Sequence, residues 1–397
     1  MLLKYFLIFS LSSLQHYISG SVYASYFLIL LLFILIIFNL LNIRYILDGK
    51  LLFKFTKSDI LIVLFAIAVF RSYVGHTISA SSFIYYLALM ILMTSLLKID
   101  VQKKIFWEGF LGSIMLILFI NVGLSFFGMT NNYFRPIFTG NIRLLEYFGI
   151  GLKRHGYFIF NNFSYYSMLL SILIIGISSI IEINRIVKYF TLVLSFSSLI
   201  ILDDRTAVFA LLIILLAKPF IKRVAPKYFL YIFISIIILP FIYYLIVINQ
   251  GSINNENTAV LSSRNLIWVQ FFVNYRPSFA KFLIGYGFLG QTLSNISSSY
   301  AYLFGNRGTN QAFIMSLHNS YLQYLIDVGI LGLFILYRII KQTLFKIDSL
   351  KIPEFKLLLF FLLIFGITEM SIQINNFNGF YTFMALTYYV DFKYEVV

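Results

Sequence analysis

The chain has 397 residues, of which 60% are hydrophobic and 11% charged, and its formal net charge is +15. Soluble domains carry about 25% charged residues, so this composition excludes an ordinary soluble enzyme or binding module and points to a polytopic, all-α membrane protein. The absence of cysteine excludes disulfides, thiolate metal sites and a thiol nucleophile, and the positive charge is not read as nucleic-acid affinity, because basic residues in such a chain first report which side of a bilayer they occupy.

Apolar runs long enough, or nearly long enough, to span a bilayer recur at 3–18, 22–42, 59–75, 78–97, 105–127, 162–181, 187–202, 205–220, 228–248, 318–340, 355–374 and 377–391. These segments predict about 12 transmembrane helices in a single integral membrane domain. Lys4 precedes the first apolar run and Val22-Tyr23-Ala24 resembles a cleavage site. A second apolar run follows at once, so the first helix is expected to be retained. Aromatic residues make up 19% of the chain, including 45 Phe and 29 Tyr, which suits lipid-facing and interfacial surfaces.

Charges set the expected orientation. One alternating set of loops holds Lys4, Lys50, Lys54, Lys57, Lys98, Lys103, Lys104, Lys188, Lys218, Lys222, Lys227 and the basic residues from Arg338 to Lys356, twenty of the thirty in all with Arg44, Arg185, Arg223 and Lys393. By the positive-inside rule this set is cytoplasmic, with both termini. The other ten are Arg71, Arg135, Arg143, Lys153, Arg154, Arg205, Arg264, Arg276, Lys281 and Arg307. Eight of those ten are arginine, against four of the inner twenty. Topology is indifferent to the choice of cation, whereas a planar fork grips phosphate in bidentate fashion. The outer face therefore reads as built to hold an anion. Outer acids are few, chiefly Glu146, Asp203, Asp204, Glu256 and Glu369.

Two extracytoplasmic loops are expected to be long, 128–161 and 249–316, the second rich in Ser, Asn and Gly. Loops of that length are commonly functional. No internal repeat is visible, which weakens an inverted-repeat transporter. Arg205 lies in LDDRTAVFALL at an outer helix end, and the alternative to anion binding is a local bridge to Asp203 or Asp204. Arg264 lies in SSRNLIWVQFF, where Arg and Trp268 also suit interfacial anchoring. GYGFLG at 285–290 spells GxGxxG but has no βαβ context, so no dinucleotide site is expected. No acid–x–acid metal signature appears in the outer segments.

The stretch at 317–340, LHNSYLQYLIDVGILGLFILYRII, sets a histidine at the edge of an apolar run. Helical steps of three and four would put His318, Tyr321, Leu322, Leu325, Gly329 and Gly332 near one face. An imidazole, with a pKa near about 6.5, can accept a proton near neutrality, so His318 is the candidate general base. The alternative is a histidine that only caps a helix interface.

GYGFLG followed by LHNSYLQYLIDVGILGL resembles the signature of the O-antigen polymerase and O-antigen ligase superfamily. Arg205 ahead of an apolar helix, Arg264 with Trp268 four residues on, and RHGYFIFNNFSYY at 154–166 fall in the order that resemblance expects. It covers about 153–337, and the earlier helices match in hydropathy alone. Two departures are Asp203-Asp204 where small residues usually precede the arginine, and Ser262-Ser263 where glycine usually precedes Arg264. The resemblance implies a GT-C-like fold. It also implies metal- and cofactor-independent transfer of a glycan from a polyprenyl-pyrophosphate carrier to an acceptor sugar, on the outer face of the bacterial inner membrane. The expected role is polymerisation of lipid-linked O-antigen, capsule or exopolysaccharide repeat units. His318 would be the base, Arg205 and Arg264 would hold the pyrophosphate, and Arg154 and Arg307 would support them. A flippase and a chain-length regulator of the same pathway are the implied partners, alongside the bilayer. The alternatives are a ligase acting on lipid A–core and, in another class, a glycan-lipid flippase or transporter. A transporter needs charges near the bilayer midplane, where only Arg71, Asp327 and Glu369 are expected, with no evident partners.

Overall fold

The computed structural model describes residues 1–13, 55–129, 141–146, 149–159, 163–249, 264–304, 316–373 and 376–396. Among the described residues there is helix and no strand, beyond one antiparallel bridge between Asn141 and Lys153. The expected span at 22–42, parts of both expected outer loops, and Arg307 lie outside the described residues. In chain order the principal helices are α1 (Leu2–Ser13), α2 (Lys57–Val74), α3 (Ala80–Asp100), α4 (Phe106–Phe126), α5 (Phe163–Ser179), α6 (Arg185–Leu202), α7 (Arg205–Leu216), α8 (Lys218–Arg223) and α9 (Pro226–Asn249). They continue with α10 (Arg264–Asn274), α11 (Phe279–Ile284), α12 (Ser320–Ser349), α13 (Glu354–Phe365) and α14 (Phe377–Val396). Among the described residues five helices, Ala80–Asp100, Phe106–Phe126, Arg185–Leu202, Pro226–Val247 and Ser320–Ser349, are long and apolar enough to cross a membrane. The described part is thus all-helical, and the protein is a multi-pass membrane protein.

The apolar runs become helices because in lipid every peptide group must be satisfied within the chain. Helices that are apolar all round lie inside, as expected: α5 is buried continuously from Tyr166 to Ile177, and α13 from Phe355 to Leu363. By contrast α9 exposes much of its apolar surface, as a lipid-facing helix does. Two expected spans end early. The run expected at 205–220 stops at Leu216, and Pro219 opens the separate turn α8, because proline suits a first helical turn and not an interior. The run expected at 355–374 stops at Phe365. Its next carbonyls are claimed from outside the helix, Gly366 by the Ser320 amide at 2.8 Å and Ile367 by the Asn319 side-chain amide at 2.6 Å.

The bundle has two chemically distinct ends. At one, lysines pair with acids: Lys4 and Lys103 with Asp100 at 2.7 Å each, and Lys98 with Asp59, Lys222 with Glu354 and Lys346 with Asp391 at 2.8 Å. Lys356 pairs with Asp348 there as well. Buried Asp59 also accepts from Tyr388 and from the Thr56 amide at 2.6 Å, closing a capping box on α2. Removing a lysine from buried Asp59 or Asp100 would strand a buried charge, so these contacts pin the helix ends. All of these lysines belong to the expected cytoplasmic set. The second end gathers the starts of α5, α7, α10 and α12 with the turn after α13, since Ser164, Thr206, Arg264, His318 and Glu369 meet there.

One packing unit explains two sequence motifs together. α12 is broken at Gly329, whose φ of 72° is left-handed. Carbonyls released by the break accept from the 285–290 loop: Ile326 from the Tyr286 amide at 2.7 Å and Asp327 from the Gly287 amide at 3.0 Å. Asp327 Oδ1 takes the Gly290 amide at 2.8 Å and the Gln323 side-chain amide at 2.9 Å. The opposite side of the loop rests on α2, where Arg71 donates to the Ile284 and Gly285 carbonyls at 2.8 and 2.6 Å. GYGFLG is therefore an interlock that satisfies a broken helix. It also corrects the expectation that Arg71 and Asp327 lack partners, because each is engaged across this loop. A Cβ on Gly329 would run into the Leu283 carbonyl, and an alanine there would have to hold the positive φ of this position. Gly329→Ala is expected to destabilise the protein by about 3 kcal/mol, combining left-handed strain and overpacking. Gly123→Ala, with open space at its Cβ inside α4, should leave stability unchanged or raise it by up to about 1 kcal/mol. Thermal unfolding of the two detergent-solubilised variants checks the difference.

Candidate functional site

His318 does not sit on the helix that follows it. It precedes α12 in a left-handed conformation, φ 48°, and Asn319 is the N-cap, its Oδ1 accepting from the Tyr321 and Leu322 amides at 3.0 and 2.9 Å. The helical face expected to run from His318 to Gly332 is thus interrupted at both ends, by the cap and by the Gly329 break. The histidine–asparagine pair makes local sense. Asn319 ends the loop by satisfying orphan N–H groups, and His318, one residue earlier, is turned out of the helix at a position histidine tolerates better than most residues.

What His318 faces is Glu369. Its Nδ1 lies 3.4 Å from Glu369 Oε2, and the imidazole side chain is 27% exposed whereas the carboxylate is 5% exposed. Glu369 Oε1 takes the Arg264 guanidinium and, at 3.0 Å, the Ser164 hydroxyl. The turn carrying Glu369 is stitched to the His318 segment, because the Ser320 hydroxyl donates to the Glu369 carbonyl at 3.0 Å and accepts from the Ser371 amide at 2.8 Å. Arg264 opens α10 and spreads its fork between Glu369 and the Thr206 hydroxyl, the latter at 3.0 Å. One helical turn on, Trp268 Nε1 donates to the Leu317 carbonyl at 3.2 Å. The spacing of four therefore puts Arg264 and Trp268 on one helical face, the first reaching Glu369 and the second the Leu317 carbonyl.

Arg205 begins α7 beside Thr206, and Asp204 caps that helix, accepting from the Ala207 amide at 3.2 Å. Arg154 stands 4.4 Å over the Phe163 ring and within the electrostatic field of Asp203, Asp204, Arg205 and Arg143. The structure thus brings Arg154, Arg205, Arg264 and His318 to one end of the bundle and adds Arg143. Glu369 is the residue that sequence reading left without a partner. Its charged partners Arg264 and His318 are 105 and 51 residues away in the chain, and Ser164 is 205 away, and no local spacing signals such contacts.

The two buried carboxyls respond oppositely to this crowd of cations. Burial pushes Glu369 up, but Arg264, then His318 and Ser164, pull it down further, so it stays well below the usual carboxylate range. Burial and then the Glu369 charge raise Asp204 from 3.8 to about 6, against the pull of Arg264, the Ala207 amide and Arg154. Environments that drive paired acids apart are a mark of functional sites. A carboxyl raised on folding holds its proton more firmly folded than unfolded, so its contribution to stability falls as pH rises from 3.8 to about 6. Asp204→Asn keeps the capping oxygen and cannot titrate. Its stability should decline less across that window and exceed the wild type's above it by about 1–3 kcal/mol, as read by thermal unfolding against pH.

Chemically, the arrangement offers a part-exposed imidazole aligned on a carboxylate, next to an arginine fork fixed by three elements. With Nδ1–H directed to Glu369, Nε2 carries the lone pair, the arrangement in which a carboxylate sets the tautomer of a base. Among the described residues no three His, Asp or Glu side chains gather closely enough to hold a metal ion. No family model, curated protein or solved structure matches the chain.

Proposed function

We propose that the protein is a GT-C-like glycosyltransferase of the extracytoplasmic face of the bacterial inner membrane, with about 12 spans, that polymerises lipid-linked oligosaccharide repeat units. The observation that carries this reading is the Arg264–Glu369–His318 constellation at the end of the bundle opposite the lysine pairs. The O-antigen polymerase resemblance singles out two of its three members.

In this reading the donor is a growing glycan on polyprenyl pyrophosphate and the acceptor is a sugar hydroxyl of the next lipid-linked unit. The acceptor oxygen bonds to the donor's anomeric carbon. The bond from that carbon to the pyrophosphate oxygen breaks, and the pyrophosphate departs with the electron pair. The hydroxyl proton passes to His318 Nε2. Glu369 is the positioning residue, holding the imidazole and the Arg264 fork in one frame. Arg264 and Arg205 meet the charge that develops on the leaving group, with Arg154 adding to the field. Arg307 keeps its expected supporting role but lies outside the described residues.

A ligase acting on lipid A–core would use the same chemistry on a different acceptor. A flippase would need deep charges free to take part in transport, whereas Asp327 is held by Gln323 and Gly290, and Glu369 by Arg264 and Ser164. The surface glycan of a strain lacking the protein separates these readings. One repeat unit per acceptor is the expected result, no glycan on the acceptor would point to a ligase or flippase, and chains of normal length would remove the protein from this reaction.

A further inference from the structure

Apart from the Arg264 cluster, the described residues hold another pair of cations around a concave surface. Arg71 lies in the last turn of α2 and Lys281 on α11, and they line a pocket of about 410 Å³ with Phe70, Val74, Tyr286 and Leu293. Arg71 is fixed at one rim by its bonds to the Ile284 and Gly285 carbonyls. Lys281 Nζ stands 5.4 Å over the Tyr286 ring.

Among the described residues no carboxylate pairs with either cation. Among the described residues the charge that bears on Lys281 is that of Arg71, which has the same sign, and no acid bears on Arg71. Two like charges around one concavity repel each other and create a positive potential that an anion would relieve. The surface around the pocket is apolar and exposed. Val63, Ile67, Phe70 and Val74 form an uncovered stripe along α2 at steps of four, three and four. α11 buries none of its residues and exposes Phe279, Phe282 and Ile284, in the manner of a short helix lying at a membrane interface. A soluble anion has no use for this greasy frame, whereas a phosphate attached to hydrocarbon uses both parts.

We propose that the Arg71–Lys281 pocket binds the phosphate headgroup of a net anionic membrane lipid, whose chain lies along the exposed stripe of α2. The site does not depend on the glycosyl-transfer reading, since none of its residues belongs to that constellation.

The test is native mass spectrometry of the purified full chain released from nanodiscs containing phosphatidylglycerol or only phosphatidylcholine. Wild type should retain phosphatidylglycerol above the phosphatidylcholine baseline. Lys281→Glu should lower that retention about tenfold or more, the worth of a charge-assisted contact. Lys104→Glu makes the same charge change at an exposed position of the lysine-rich end and should leave retention unchanged. Lys281→Gln, with thermal unfolding matched to wild type, guards against a folding defect and should also lose most of the lipid. Inorganic phosphate in millimolar excess should not displace the lipid. Equal retention by wild type and both Lys281 variants, an equal loss in Lys104→Glu, or displacement by inorganic phosphate would each overturn the proposal.

Discussion

Replacing His318 with glutamine or asparagine is expected to lower repeat-unit transfer by about 10²–10⁴-fold, the usual worth of acid–base catalysis, while the protein remains inserted and still binds the lipid-linked donor. His318 is in a left-handed conformation, which asparagine adopts more readily than glutamine or alanine. His318→Asn is therefore the variant that best separates chemistry from folding. Neither amide can take up and release a proton. A base must be deprotonated to act, so the acidic limb of the wild-type pH–rate profile should disappear in both variants. If the histidine only shaped the loop before α12, His318→Asn would work near the wild-type rate with its acidic limb intact. Purified variants at matched protein levels, assayed across the neutral range, tell the two apart.

The second large effect concerns Arg264. Arg264→Lys is expected to lower transfer by about 10²–10³-fold, the scale set by losing a fixed donor to developing charge, and nearly as much as Arg264→Ala. The reason is geometric. The guanidinium reaches Glu369 with one nitrogen and Thr206 with another, and an ammonium is a single point that cannot hold both and still face a phosphate. Arg264→Ala has a second consequence, because it leaves the buried Glu369 carboxylate without its strongest counter-charge, a change that typically costs about 3–5 kcal/mol. Lysine keeps the charge and so isolates the fork. Full turnover by Arg264→Lys would reduce Arg264 to a diffuse positive field.

Much of this organisation was legible in the sequence for physical reasons that act locally or through topology. Among the described residues the apolar runs are helical, and the expected segments at 59–75, 78–97, 105–127, 162–181, 187–202 and 228–248 agree with helices to within a few residues. Elsewhere the bounds differ: Pro219 ends α7 early, polar side chains claim the carbonyls after Phe365, and α12 and α14 run on past 340 and 391 to Ser349 and Val396. The contrast between lysine and arginine was also visible, and the structure places the lysine pairs and the arginine cluster at opposite ends of the bundle. What the sequence did not reveal are contacts between distant segments. Glu369 read as an isolated acid because its partners come from α5, from α10 and from the loop before α12. Gly329 read as a small residue on a helix face, whereas its left-handed φ and the Leu283 carbonyl beside it show that it breaks the helix to receive the 285–290 loop. That break depends on another segment 40 or so residues upstream, which no helical periodicity records.

The most direct test is reconstitution of the purified full chain with a polyprenyl-pyrophosphate-linked oligosaccharide repeat unit, following both the glycan and the released carrier. Glycans lengthened by whole repeat units should appear together with free polyprenyl pyrophosphate, one carrier released per bond formed, and both should fall in parallel in His318→Asn and Arg264→Lys. Folded, donor-binding protein that releases no carrier and lengthens no glycan would contradict the account.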